Sequence, residues 1–135
     1  MTRYKALAKA YLDQKGVKYR EPKDELLAVT YKGNNMSEIT IIIDFQNEGN
    51  RAQFVCFSFR TFDKNQFAKG LIACNACNTK YRWVKYYIND SNQVVVQADA
   101  ILDEANAGEE VFELIQRMVA IMDETYPVFM KARWS

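Results

Sequence analysis

Cys74 and Cys77, three residues apart, form the pair of side chains best suited to chemistry in this sequence. A Cys-x-x-Cys pair does redox work when its first thiol sits at a helix N-terminus, where the helix dipole lowers the thiol pKa. Here the apolar run from Phe67 to Ala73 precedes Cys74 and places it well inside a helix. A structural zinc would need four ligands, and a chain with no histidine offers no second Cys/His pair. The pair therefore reads as two small hydrophobes that let a helix pack closely.

Other reactive combinations are also missing. Without histidine, a nucleophile–histidine couple within this chain is ruled out, and the side chain most used for acid–base work near neutral pH is gone. The carboxylates come as neighbours: Asp24 with Glu25, Asp103 with Glu104, Glu109 with Glu110, and Asp123 with Glu124. Adjacent residues do not face one another on a helix, so these read as solvated surface and helix-end charge. No phosphate-cradling or nucleophile-elbow motif occurs among only 5 glycines. The expectation is a protein with no catalytic residues, no metal and no cofactor.

The run Lys80-Tyr81-Arg82-Trp83-Val84-Lys85-Tyr86-Tyr87 interleaves rings with cations. Read as a strand, it puts Tyr81, Trp83, Lys85 and Tyr87 on one face, able to stack on bases or grip a peptide. A net charge of +1 argues against a broad basic surface for nucleic acid and leaves a protein or peptide as the expected partner. Asn78 is expected to cap a helix end and tie the backbone of the next strand, with ligand contact as the alternative reading. Met118, Met122, Phe129, Met130 and Trp134 enrich the C-terminal region in adaptable apolar side chains. Core is the default there, and Trp134 is a candidate for a partner surface. The candidate binding residues are thus Trp83, Tyr87, Asn78 and Trp134.

These residues need a scaffold. Tyr4, Leu7, Ala8, Tyr11 and Leu12 recur at helical spacing before Gly16. Three strands are predicted at Leu26 to Tyr31, Glu38 to Phe45 and Gln53 to Phe59, the last two joined by Asn47-Glu48-Gly49-Asn50. The third strand reads as apolar on both sides, with Phe54 and Cys56 on one face and Val55, Phe57 and Phe59 on the other. Such strands are usually covered on both sides, by a helix or by another subunit. A second helix runs from about Asn65 to Asn78, with Phe67, Leu71, Cys74 and Asn78 on its apolar stripe. An aromatic hairpin follows, Tyr81 to Ile88 and Val94 to Ala98, around Asn89-Asp90-Ser91-Asn92. A third helix begins near Gly108, and Pro127 is expected to interrupt or restart it. The order α-β-β-β-α-β-β-α, with short hairpins, predicts an α+β fold: a twisted antiparallel sheet with packed helices.

At 135 residues the chain is expected to be a single domain spanning 1–135, with 49% apolar and 26% charged residues. Three cysteines do not make a disulfide framework, and the start Met1-Thr2-Arg3-Tyr4-Lys5 leads into no signal-like apolar run. No stretch approaches the roughly 20 apolar residues that span a bilayer. A reduced, cytoplasmic protein with no membrane contact is expected.

From about Tyr4 to Met130 the pattern resembles the YbjN-type domain family, labelled as a regulator of bacterial sensory transduction. The resemblance rests on three strands leading into a helix with Asn75-x-x-Asn78, the aromatic strand around Lys85-Tyr86-Tyr87, a Val-rich return strand, and a closing helix that ends near Pro127. Such domains look like class I type III secretion chaperones in fold, although those are commonly acidic and this chain is near neutral. The resemblance implies a domain that binds polypeptide segments and often dimerises, with no catalytic residues to carry over. The expected function is non-enzymatic binding or regulation, recognising a protein segment through a sheet face or strand edge. The alternative is a self-associating homodimer with no separate ligand.

Overall fold

The computed structural model describes residues 2–46 and 49–134, with the side chains of Ser58, Arg133 and Trp134 outside that description. Of the predicted loop Asn47-Glu48-Gly49-Asn50, the first two residues lie outside the described residues, and Gly49 adopts φ 70°.

Helix α1 (Arg3–Gln14) starts at Thr2, whose hydroxyl accepts the Lys5 N–H at 3.1 Å. It stops before Gly16, which takes the left-handed φ of 73°. Its buried side is Lys5, Ala8 and Leu12. The spacing of apolar residues could not reveal Lys5, whose ammonium donates to the Asp24 carbonyl at 2.7 Å and pairs with Glu21 at 3.0 Å.

Strands β1 (Leu26–Tyr31), β2 (Ile39–Asp44), β3 (Arg51–Thr61), β4 (Lys85–Ile88) and β5 (Gln93–Ile101) form one antiparallel sheet in the order β1-β2-β3-β5-β4. One face carries Leu27, Val29, Ile39, Ile41, Ile43, Phe54, Cys56, Val94, Val96 and Ala98, all within the contiguous core. The same core includes Ala8 and Leu12 of α1. It also holds Ala73, Cys74 and Cys77 of α2 (Phe67–Lys80), and Val111, Ile115, Met118, Met122 and Phe129 of α3 (Ala107–Trp134). The three α-helices among the described residues thus share one face of the sheet.

Of the two covers expected for the second side of β3, a helix is absent among the described residues. Ala28, Val55 and Val95 point to the other face and are buried by their sheet neighbours, yet they lie outside the contiguous core. Phe57, also on that face, is 53% exposed. Phe59 was expected beside it but belongs to the core. The ladder to β5 slips between Cys56 and Arg60, and this bulge turns Phe59 inward. There Phe59 meets Tyr86 at 5.8 Å and Phe129 at 5.2 Å between ring centres.

Helix α2 is also rotated from the expected stripe. Gly70, Ala73, Cys74 and Cys77 are buried, whereas Phe67 and Leu71 are exposed. The close approach at Gly70 explains this, because a Cβ there would meet Ile88 at 2.6 Å and Phe62 at 3.2 Å. Helix α3 runs through Pro127 without a break. Proline removes one N–H, which would have bonded the Asp123 carbonyl, and the side-chain amide of Asn35 takes that place at 2.9 Å.

Candidate functional site

The hairpin β4–β5 forms as its turn residues dictate. The Asn89 side-chain oxygen accepts the N–H of Ser91 and of Gln93, each at 3.0 Å, and Asn92 takes φ 59°. Alternation along β4 then sends Tyr86 to the core and Lys85 and Tyr87 to the helix-free face.

Tyr87 stands opposite Val95, 39% exposed, and its hydroxyl donates to Gln97 at 3.3 Å. The Lys85 ammonium lies 6.0 Å from its ring centre. Phe57 is on the same face of β3. The pairing of β2 with β3 ends at Ile42 opposite Val55, and a depression of about 300 Å³ opens there, lined in part by Thr40, Ile42, Val55 and Phe57. The helix-free face is therefore a shallow apolar surface with polar residues set into it. Burying the wet half of Phe57 would contribute about 2 kcal/mol to a complex before association costs.

Trp83 is not on that strand. β4 begins at Lys85, and Trp83 sits in a preceding bend at φ 80°, a region that bulky side chains rarely occupy. The expected single row of Tyr81, Trp83, Lys85 and Tyr87 is thus broken, since the turn out of α2 overrides the apolar–polar alternation. The Trp83 ring is 57% exposed and lies under the Arg117 guanidinium at 4.9 Å. The side chain of Trp134 lies outside the described residues.

Asn78 donates to the Tyr86 carbonyl at 2.9 Å and accepts the Tyr86 N–H at 2.8 Å. Its amide acts as a one-residue neighbour strand along the outer edge of β4. Beneath it, the Tyr86 and Thr125 hydroxyls are 2.6 Å apart. Thr125 donates to the Met122 carbonyl at 3.2 Å, so Tyr86 donates to Thr125. Burial raises the Tyr86 pKa, with the Thr125 bond opposing the shift.

Cys74 and Cys77 are both buried inside α2. Burial, aided by Cys77, pushes the Cys74 thiol up to about 12, so it is a neutral group and not a nucleophile at pH 7. Among the described residues no cluster of three His, Cys, Asp or Glu side chains could hold a metal, and no helix is long and apolar enough to cross a membrane. Sequence reasoning missed Ile101, Arg117 and Asp123, because each gains its meaning from a partner distant in the chain.

The fold has known relatives. It superposes on the crystal structure of YbjN from E. coli, titled "a putative transcription regulator", with a TM-score of 0.57 over 86% of each chain at 15% identity. It also superposes on a chain of the heterodimeric ExoU-SpcU complex from the type III secretion system of Pseudomonas aeruginosa. There the TM-score is 0.60, over 88% of this chain and 94% of that one, at 16% identity. At such identities the likeness is one of fold. No curated protein matches the sequence. The family described as YbjN, "Putative bacterial sensory transduction regulator", matches residues 7–130, and the chain belongs to that family.

Proposed function

We propose that this protein is a non-enzymatic binding domain that recognises a polypeptide segment on the helix-free face of its sheet. The observation that carries this reading is the one-sided placement of the helices, which leaves Phe57 and Tyr87 on a face with no cover among the described residues. Exposed apolar area of this kind, rimmed by polar groups, marks interaction surfaces. The family description supports a regulatory role, and a similar fold occurs in a heterodimeric complex. Three buried cysteines with no disulfide among them support a reducing, cytoplasmic setting.

Co-purification from the native host tests the reading, with Phe57→Asp, Tyr87→Ala and Trp83→Ala beside the natural protein. Loss of the same partner from the Phe57 and Tyr87 variants is expected. Unchanged partners in all three would refute it.

A second reading rests on half-buried Ile42 and exposed Phe57, which make the centre of this face apolar enough for a second copy to cover it. Light scattering over a concentration series separates the two: a strict monomer removes the homodimer.

A further inference from the structure

The chain closes over two of its own sheet edges. Asn78 occupies both main-chain groups of Tyr86 at the outer edge of β4. At the outer edge of β1, Arg20 and Ala28 exchange N–H···O bonds of 2.8 and 2.9 Å.

The C-terminal half of β5 is treated differently. The Leu102 N–H bonds the Asn50 carbonyl, and the Asn89 N–H bonds the Gln93 carbonyl. Together these fix the alternation: even-numbered residues of β5 bond β3, and odd-numbered ones turn toward β4. Val95 and Gln97 find Tyr87 and Lys85 on that side. Asp99 and Ile101 turn the same way, but β4 does not reach them. Continuing the register would set Trp83 opposite Asp99, and its φ of 80° takes the chain out of the ladder. Among the described residues no main-chain group meets the N–H and C=O of Asp99 and Ile101 on this edge.

Beside the edge, between β5 and α3, runs a groove of about 300 Å³. Its lining includes Trp83, Ile101, Leu114, Glu110 and Arg117, and Ile101 is 77% exposed. Arg117 is already engaged, paired with Glu113 at 3.0 Å and stacked over Trp83. Asp99 and Glu110 have no cation within ion-pair distance among the described residues. Partial burial raises the Glu110 pKa, and Asp103 and Glu109 add to the shift, so a cation arriving here offsets the acidic repulsion.

We propose that the Asp99–Ile101 edge takes up an extended, basic polypeptide segment as an added strand in line with β4. An apolar side chain of that segment sits over Leu114 between Trp83 and Ile101. Its lysine or arginine side chains meet Asp99 on the open face or Glu110 on the helix side. Main-chain bonds supply affinity in this mode and alternate side chains supply selectivity. The inference rests on the polypeptide-binding reading above and specifies a place and a partner chemistry for it.

The test is amide hydrogen exchange of the full chain with three capped synthetic peptides. The first alternates valine and lysine, the second alternates valine and glutamate, and the third is the lysine peptide N-methylated at alternate amides. The lysine peptide is expected to slow exchange at Asp99 and Ile101 roughly five-fold or more, and the other two to leave it unchanged. Ile101→Pro removes an outward N–H, which edge strands tolerate, together with an exposed side chain, so it is expected to keep the fold and lose the protection at Asp99. No protection by the lysine peptide, equal protection by all three, or unchanged binding by Ile101→Pro overturns the proposal. A host partner lost from Phe57→Asp but kept by Ile101→Pro would refute this edge and leave the polypeptide-binding reading standing. Absence of any host partner would strike that reading instead.

Discussion

The main-chain carbonyl of Asp123 accepts a hydrogen bond from the side-chain amide of Asn35 at 2.9 Å, across a sequence separation of 88 residues. Pro127 has no N–H to close the helical turn onto that carbonyl, and the β1–β2 loop fills the vacancy. The Asp123 carboxylate completes the joint by accepting the N–H groups of Asn34 at 2.9 Å, Asn35 at 2.8 Å and Met36 at 3.0 Å. A proline that sequence rules treat as an interruption is thus part of a lock between α3 and the sheet.

This lock is pH-dependent. The loop N–H groups, Asn34 foremost, hold the Asp123 pKa below its ordinary value. A carboxyl depressed in the folded state stabilises the fold above its unfolded pKa, and that stability is lost as pH falls through the folded value. Asp123→Ala is therefore expected to lower the urea midpoint at neutral pH. Its gap to the natural protein should shrink steadily below about pH 4. A gap independent of pH would contradict the lock.

Asn78→Ala is expected to cost about 1–2 kcal/mol in urea unfolding, since it frees both main-chain groups of Tyr86. Asn78→Asp keeps the acceptor for the Tyr86 N–H but loses the donor to its carbonyl, so it should recover only part of the loss. Exchange at the Tyr86 amide reads this directly: faster in the alanine variant, intermediate in the aspartate variant.

Tyr86→Phe and Thr125→Val each break a buried hydroxyl pair and are expected to cost about 1–2 kcal/mol. The double variant should cost less than the sum by at least ~0.5 kcal/mol, because the two groups bond each other. Strict additivity in chemical denaturation would contradict the bond.

Cys74 and Cys77 are expected to resist an aromatic disulfide reagent in the native state at pH 8 and to react at the rate of unfolding. Rapid modification of Cys74 would show that α2 is looser than its packing against Phe62 and Ile88 implies.

Much of this was legible in the chain. The order of helices and strands follows from periodicity and turn residues, and the Asn89–Asn92 turn forms where its asparagines require. What escaped depended on contacts distant in sequence. Phe59 faces inward because β3 slips against β5, which no two-residue alternation within β3 reveals. Trp83 looks like a strand residue in its run of alternating rings, yet its φ of 80° is set by the turn out of α2. Phe67 and Leu71 fit a helical stripe, but Gly70 brings a different side of α2 against Phe62 and Ile88. Of the candidate binding residues, Tyr87 lies on the helix-free face, Trp83 lines the edge groove, and Asn78 bonds both main-chain groups of Tyr86.

The central claim is that the helix-free face of the sheet is a polypeptide-binding surface. Photo-crosslinking in the native host tests it most directly, with p-benzoylphenylalanine placed at Phe57 and, as the control on exposed α2, at Ile72. A discrete adduct with another polypeptide from Phe57, absent from Ile72, is the expected result. Adducts from Ile72 alone, or from neither position, would contradict the account.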